Sequence, residues 1–196
     1  MRRRSLRGSL RGFTMIELMI GVAILAILLA LGLPAFTQML QNSRLRTTAE
    51  AFTAGLQRAR AEAVKLNAQV ELIITNADPL AANVDSAAAT AGGKNWIVRS
   101  VNPNPATGTR DFIEGKSSAD GAAAAVVVTA TNTAIAYTAF GATTLAATAT
   151  FQFTNPAGGA CFAAGPMRCL NVVVMTGGQV KMCDPAILTV GDTRRC

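Results

Sequence analysis

The chain of 196 residues has no histidine, a single Trp and a single Tyr. Lack of histidine removes the commonest general acid/base and the commonest metal ligand together. Charged side chains are also scarce, at 15% of the total. The four cysteines, Cys161, Cys169, Cys183 and Cys196, all fall in the last 36 positions, and their spacings give no pair of C-x-x-C clusters. A zinc site is therefore not expected. No nucleophile stands beside a base, so no catalytic residue, metal or cofactor is assigned, and the chain does not read as an enzyme.

What is present is unevenly placed. The formal net charge is +7, yet Arg2, Arg3, Arg4, Arg7 and Arg11 lie within the first eleven positions. Without residues 1–12 the chain carries 13 basic against 11 acidic side chains. The basicity therefore belongs mainly to a leader. Directly behind it, Phe13 to Leu33 read FTMIELMIGVAILAILLALGL, 21 residues with Glu17 as the sole charge. That is enough helix to cross a hydrocarbon core of about 30 Å. Five arginines before it place the amino terminus in the cytoplasm and the remainder outside. A cleaved secretory signal is the alternative, since Ala30 and Gly32 are spaced like a cleavage site. Against it, the run is long, a carboxylate near its start is unusual, and the pattern past Leu33 continues as helix.

MRRRSLRGSLRG followed by FTMIEL resembles the class III signal of type IV pilins and type II secretion pseudopilins. The resemblance implies a prepilin peptidase that cuts between Gly12 and Phe13 and N-methylates Phe13. It also matches Glu17 to the family's assembly glutamate and Pro34 to its helix-kinking proline. The physics of Glu17 agrees with that role. A charge at the centre of a bilayer costs about 2.5–3.5 kcal/mol. A new amine at Phe13, on a neighbouring subunit, could neutralise the carboxylate in a bundle of stacked helices. The alternative is that Glu17 simply lies at headgroup level.

After Pro34 the pattern stays helical and turns amphipathic. Leu45, Ala49, Phe52, Leu56, Ala59, Ala63 and Leu66 make one apolar stripe. Arg46 with Glu50 and Arg58 with Glu62 form i,i+4 pairs on the opposite, solvated side. Beyond Asn67 the text changes to strands, expected at Val70–Thr75, Asn95–Val101, Ala125–Thr131, Ala134–Phe140, Ala149–Thr154, Arg168–Met175 and Gln179–Cys183. The last two flank Thr176-Gly177-Gly178 as a hairpin. Asn76–Lys94 and Val101–Gly108 read as surface loops, and Asp111, Glu114 and Asp120 as solvated turns.

LQRARAEAVKLNAQVEL, then NWIVR, then RCLNVVVMTGGQVKMC resembles the GspH/FimT minor-pilin branch of that superfamily. The implied fold class is α+β, the type IV pilin fold, with a long N-terminal helix on an antiparallel sheet head. The organisation expected is a leader over 1–12, a membrane and assembly helix over 13–34, an amphipathic helix over 35–67 and a β-rich periplasmic head over 68–196.

Four cysteines allow three pairings. With a two-residue turn at Gly177-Gly178, Val172 faces Cys183 and Cys169 lies on the other face. Cys161–Cys169 with Cys183–Cys196 is then the simplest choice.

Two functions follow from the resemblance. The first is a structural minor subunit, anchored in the inner membrane, that primes or caps a filament with other minor and major pilins or pseudopilins. The second is DNA binding for uptake, through a basic patch of Arg168, Lys181, Arg194 and Arg195. Some FimT-type proteins use a glycine-arginine-any-arginine hairpin motif for this; here Gly178-Gln179-Val180-Lys181 has lost the first arginine. No aromatics interleave with those cations, which weakens a stacking mode. The structural reading is preferred.

Overall fold

A computed structural model of the protein describes residues 12–117 and 125–196, with backbone only at Pro34. The leader arginines and Asp120 lie outside the described residues. Two compact units divide the chain, Met1–Thr37 and Gln38–Cys196.

One helix, α1 (Met15–Leu66), belongs to both units and runs through Pro34 without a break. Its start is capped by Thr14, whose hydroxyl accepts from the Glu17 N–H at 3.2 Å. Its end is a Schellman stop: Ala68 N–H donates to the Ala63 carbonyl, and Asn67 N–H to that of Val64. Asn67 takes φ 49°, the left-handed conformation such a stop needs and asparagine tolerates.

Within the second unit, eight strands follow: β1 (Val70–Thr75), β2 (Asn95–Ser100), β3 (Phe112–Lys116), β4 (Val127–Ala130), β5 (Ala134–Tyr137), β6 (Ala149–Thr154), β7 (Leu170–Val174) and β8 (Val180–Cys183). They form two antiparallel sheets, ordered β3-β2-β1-β5 and β4-β6-β7-β8. Strand alternation decides what each face meets. Val70, Leu72 and Ile74 of β1 and Trp96 and Val98 of β2 turn into the main core, whereas Ile73 and Ile97 turn to a smaller cluster outside. Leu45, Ala49, Phe52, Leu56, Ala59 and Ala63 of α1 are buried in the same main core, which both sheets line. The Phe52 ring sits 4.9 Å from that of Phe151 and 5.4 Å from that of Phe153. Every buried side chain among the described residues falls at Leu45 or later. The head therefore holds a complete core of its own.

Several expectations need correction. Leu66, placed on the apolar stripe, is 46% exposed. Glu62, placed on the solvated side, is buried, and Arg58 and Lys65 each reach it at 3.1 Å. Residues 112–116, read as turn around Glu114, form the edge strand β3. Most expected strands are shorter than their sequence pattern; Ala134–Phe140 ends at Tyr137 and Arg168–Met175 covers only Leu170–Val174.

The hairpin register is also shifted by one. Asn171, not Val172, faces Cys183, and Val174 faces Val180. Met175 N–H donates to the Gln179 carbonyl, so the loop has three residues, Thr176 to Gly178. Gly178 carries the positive φ of 82° at its end, the usual form of a three-residue hairpin. A Cβ there would also collide with the Gly141 carbonyl oxygen.

The loop between β1 and β2 is not a free surface segment. Arg99 is 7% exposed and donates to the carbonyls of Val84 at 2.5 Å and Ala87 at 2.9 Å while pairing with Glu71 at 2.8 Å. It pins that loop over the outer face of the first sheet, where Val84 and Ala87 are buried.

Candidate functional site

Gly12, Phe13 and Thr14 precede α1 as exposed, non-helical chain. Among the described residues no atom lies within 4 Å of a Cβ built at Gly12. No packing among the described residues requires glycine there.

The following helix segment is apolar all round, and none of the described residues from Gly12 to Leu40 is buried. Phe13, Met15, Ile16 and Met19 are 69–83% exposed. A helix hydrophobic on every side belongs in a bilayer or a bundle. Among the described residues Glu17 makes no ion pair. Its own N–H completes a Thr-x-x-Glu capping pattern, and a carboxylate in the first turn suits the positive end of the helix dipole. Sequence reasoning missed Thr14, although that spacing before an apolar run was legible.

At the start of the head's helix, several side chains converge. The Asn155 amide donates to Gln41 Oε1 at 2.6 Å, and the Arg168 N–H to Asn42 Oδ1 at 2.8 Å. Disulfides join Cys161 to Cys169 and Cys183 to Cys196. The route to that pairing through a two-residue turn does not hold, because the turn has three residues. Cys169 moreover precedes the first residue of β7, so the hairpin register does not place it.

The four cations proposed for DNA are brought to one region, and two of them, Arg168 and Arg194, are paired with carboxylates. Arg168 pairs with Asp184 at 3.3 Å and lies over the Phe162 ring, 5.2 Å from its centre. Arg194 grips Asp192 through two bonds, at 2.9 and 3.2 Å. Those bonds hold the Asp192 carboxyl down at about 2 and push the Arg194 guanidinium up. Lys181 donates to the Arg195 carbonyl at 2.8 Å. Among the described residues no three His, Cys, Asp or Glu side chains gather as a metal site.

The comparisons with known proteins decide the family. Residues 48–186 match the family described as type II transport protein GspH. The chain belongs to the GspH family. Residues 9–33 match the prokaryotic N-terminal methylation motif. No curated protein matches the chain. The crystal structure of the type IV minor pilin FimU of Pseudomonas aeruginosa (strain PAO1) in space group P21 is similar over 71% of this chain and 88% of that one. Its TM-score is 0.51 at 17% identity, which shows a shared fold. A second FimU crystal form, in space group P65, gives 0.47 at 15% identity, over 70% of this chain and 90% of that one. The α+β fold is thus that of type IV minor pilins, and as a GspH-family member the chain is a structural subunit of the pilin and pseudopilin class, not an enzyme.

Proposed function

We propose that this GspH-family chain is a minor subunit that primes or caps a type IV pilus or a type II secretion pseudopilus. It sits in the bacterial inner membrane through residues 13–34, with the amino terminus cytoplasmic and the head, 35–196, periplasmic. Prepilin peptidase removes 1–12 by cutting between Gly12 and Phe13, and Phe13 becomes N-methylated. Glu17 then meets the amine of a neighbouring subunit's Phe13 as helices stack, and Pro34 kinks the helix between its membrane and head portions.

The observation that carries this reading is the contrast between the two parts of α1. One part leaves every described side chain exposed, and the other is built into a core that is complete without it. Such a helix needs an apolar environment from outside the chain, which a bilayer and then a filament supply in turn. The cations raised for nucleic acid do not favour that second reading, because Arg168 and Arg194 already have carboxylate partners.

A deletion strain tests the proposal. Loss of surface filaments or of exoprotein secretion, restored by the wild-type chain and not by Gly12→Asp, is the expected result. A strain normal in both would overturn it.

A further inference from the structure

The Cys183–Cys196 disulfide closes a C-terminal loop that is internally ordered. Asp184 N–H donates to the Arg194 carbonyl at 2.7 Å, and Ala186 N–H to Asp184 Oδ1 at 2.8 Å. This loop nevertheless holds out two aliphatic side chains, Leu188 at 81% and Val190 at 85% exposure. A shallow groove of about 820 Å³ joins it to Asn42, Ser43 and Arg46 of α1. Arg46, Arg168, Lys181, Arg194 and Arg195 belong to this end of the head, against the carboxylates of Glu50, Asp184 and Asp192. The side chains of this face are therefore cationic by two, and aliphatic groups stand among them.

Its position along the chain says what it can meet. Eight residues lie between Leu33, the last of the apolar run, and Asn42. Even fully extended they span at most about 30 Å, whatever the angle between the two units. A bilayer holding the apolar helix is thus permanently within reach, at high effective concentration. Apolar side chains ringed by arginine and lysine are the composition that binds an anionic membrane surface. Among the described residues no aromatic platform for unstacked bases accompanies the cations, apart from Phe162, which Arg168 covers.

We propose that this end of the head is a docking face for the anionic surface of the bilayer that holds α1. Leu188 and Val190 insert between headgroups, and Lys181 and Arg195, which pair with no carboxylate among the described residues, meet lipid phosphates. The inference rests on the inner-membrane reading above. Docking would hold the head against the membrane until a filament extracts the subunit, so that release of this face accompanies assembly.

The test uses the full chain reconstituted in phosphatidylglycerol-containing vesicles with acyl chains brominated near the headgroup. Two variants are compared with wild type, Leu188→Trp and Phe140→Trp. Phe140 is 93% exposed on a turn held by Arg60 through the Gly141 carbonyl, at the other end of the head's helix. The wild-type spectrum, which comes from Trp96 alone, is subtracted from each. The expected result is a blue-shifted emission from the L188W indole, quenched at least about threefold more than that of F140W and relieved when phosphatidylcholine replaces the anionic lipid. Resistance to carbonate extraction reports anchoring separately. An anchored chain whose L188W indole is unquenched, or quenched no more than that of F140W, would overturn the inference while sparing the anchoring. An unquenched L188W indole that responds instead to a DNA oligonucleotide would overturn it in favour of nucleic acid. A chain stripped by carbonate would sink the anchoring and the inference together.

Discussion

Gly55 of α1 lies flat against the ring of Trp96 on β2: a Cβ at position 55 would stand 2.7 Å from Cη2 and 2.8 Å from Cζ3. The tryptophan that fills the helix–sheet contact thus needs a helix residue without a side chain. Glycine in a helix interior costs about 1 kcal/mol relative to alanine, and this close approach is the compensation.

Gly55→Ala should therefore destabilise the head even though alanine is the better helix former. Overpacking costs about 1–3 kcal/mol, of which helix propensity returns up to about 1. The check is the denaturation midpoint of residues 38–196, which carry the complete core. A variant more stable than wild type would show that the ring has room.

Arg99 joins three parts of the chain that are far apart in sequence, and its side chain is 9% exposed against 15% for Glu71. Glu71→Ala should cost more than an exposed ion pair would, on the order of 3 kcal/mol, because it leaves a buried guanidinium without its counter-charge. Arg99→Ala should in addition free the carbonyls of Val84 and Ala87. Hydrogen exchange across residues 81–90 should then rise by more than the global loss of stability explains.

Tyr137 is fully buried, and among the described residues its hydroxyl has no hydrogen-bond partner. Burial pushes its pKa from 10.0 up to about 12, against a smaller opposing pull from Arg60. The folded state thus resists ionisation that the unfolded chain accepts. Its contribution is intact below pH 10 and is lost as pH rises from 10 to 12, by about 2–3 kcal/mol. Tyr137→Phe should remove that part of the alkaline loss and be neutral or slightly stabilising at pH 7. Urea titrations of both proteins at pH 7, 10 and 11.5 give the comparison.

Glu17→Ala should leave membrane insertion intact, since it removes the only charge of an apolar segment. The account places its effect in assembly, as loss of the subunit from sheared filaments with the membrane pool preserved. Immunoblots of the two fractions separate this from a protein that is merely unstable.

The helix stripe was legible because Leu45, Ala49, Phe52, Leu56, Ala59 and Ala63 keep a helical period and all meet one core. β1 and β2 were legible for a similar reason, as compact runs of β-branched and aromatic residues. β3 was not, because FIEGK is a half-exposed edge strand with a glycine and two charges. Its register to β2 also shifts between Val98 and Arg99. The hairpin was found but misregistered, since Gly177-Gly178 fits a two-residue turn as readily as the three-residue one with Gly178 left-handed. The burial of Glu62 and the Arg99 anchor were beyond reach of any local pattern. They depend on contacts that exist only once the sheets are assembled.

In the proposed function the chain is cut before Phe13 and built into a filament through the helix thus exposed. Mass spectrometry of sheared surface filaments and of inner membrane tests it most directly. The account predicts a peptide beginning with N-methylated Phe13 in the membrane pool and, for a pilus subunit, in the filaments as well. Confinement to the membrane would assign it to a secretion pseudopilus or a priming complex at the base. A mature amino terminus at Leu33 would contradict this, because cleavage there removes Glu17 and the apolar helix on which the proposed assembly depends.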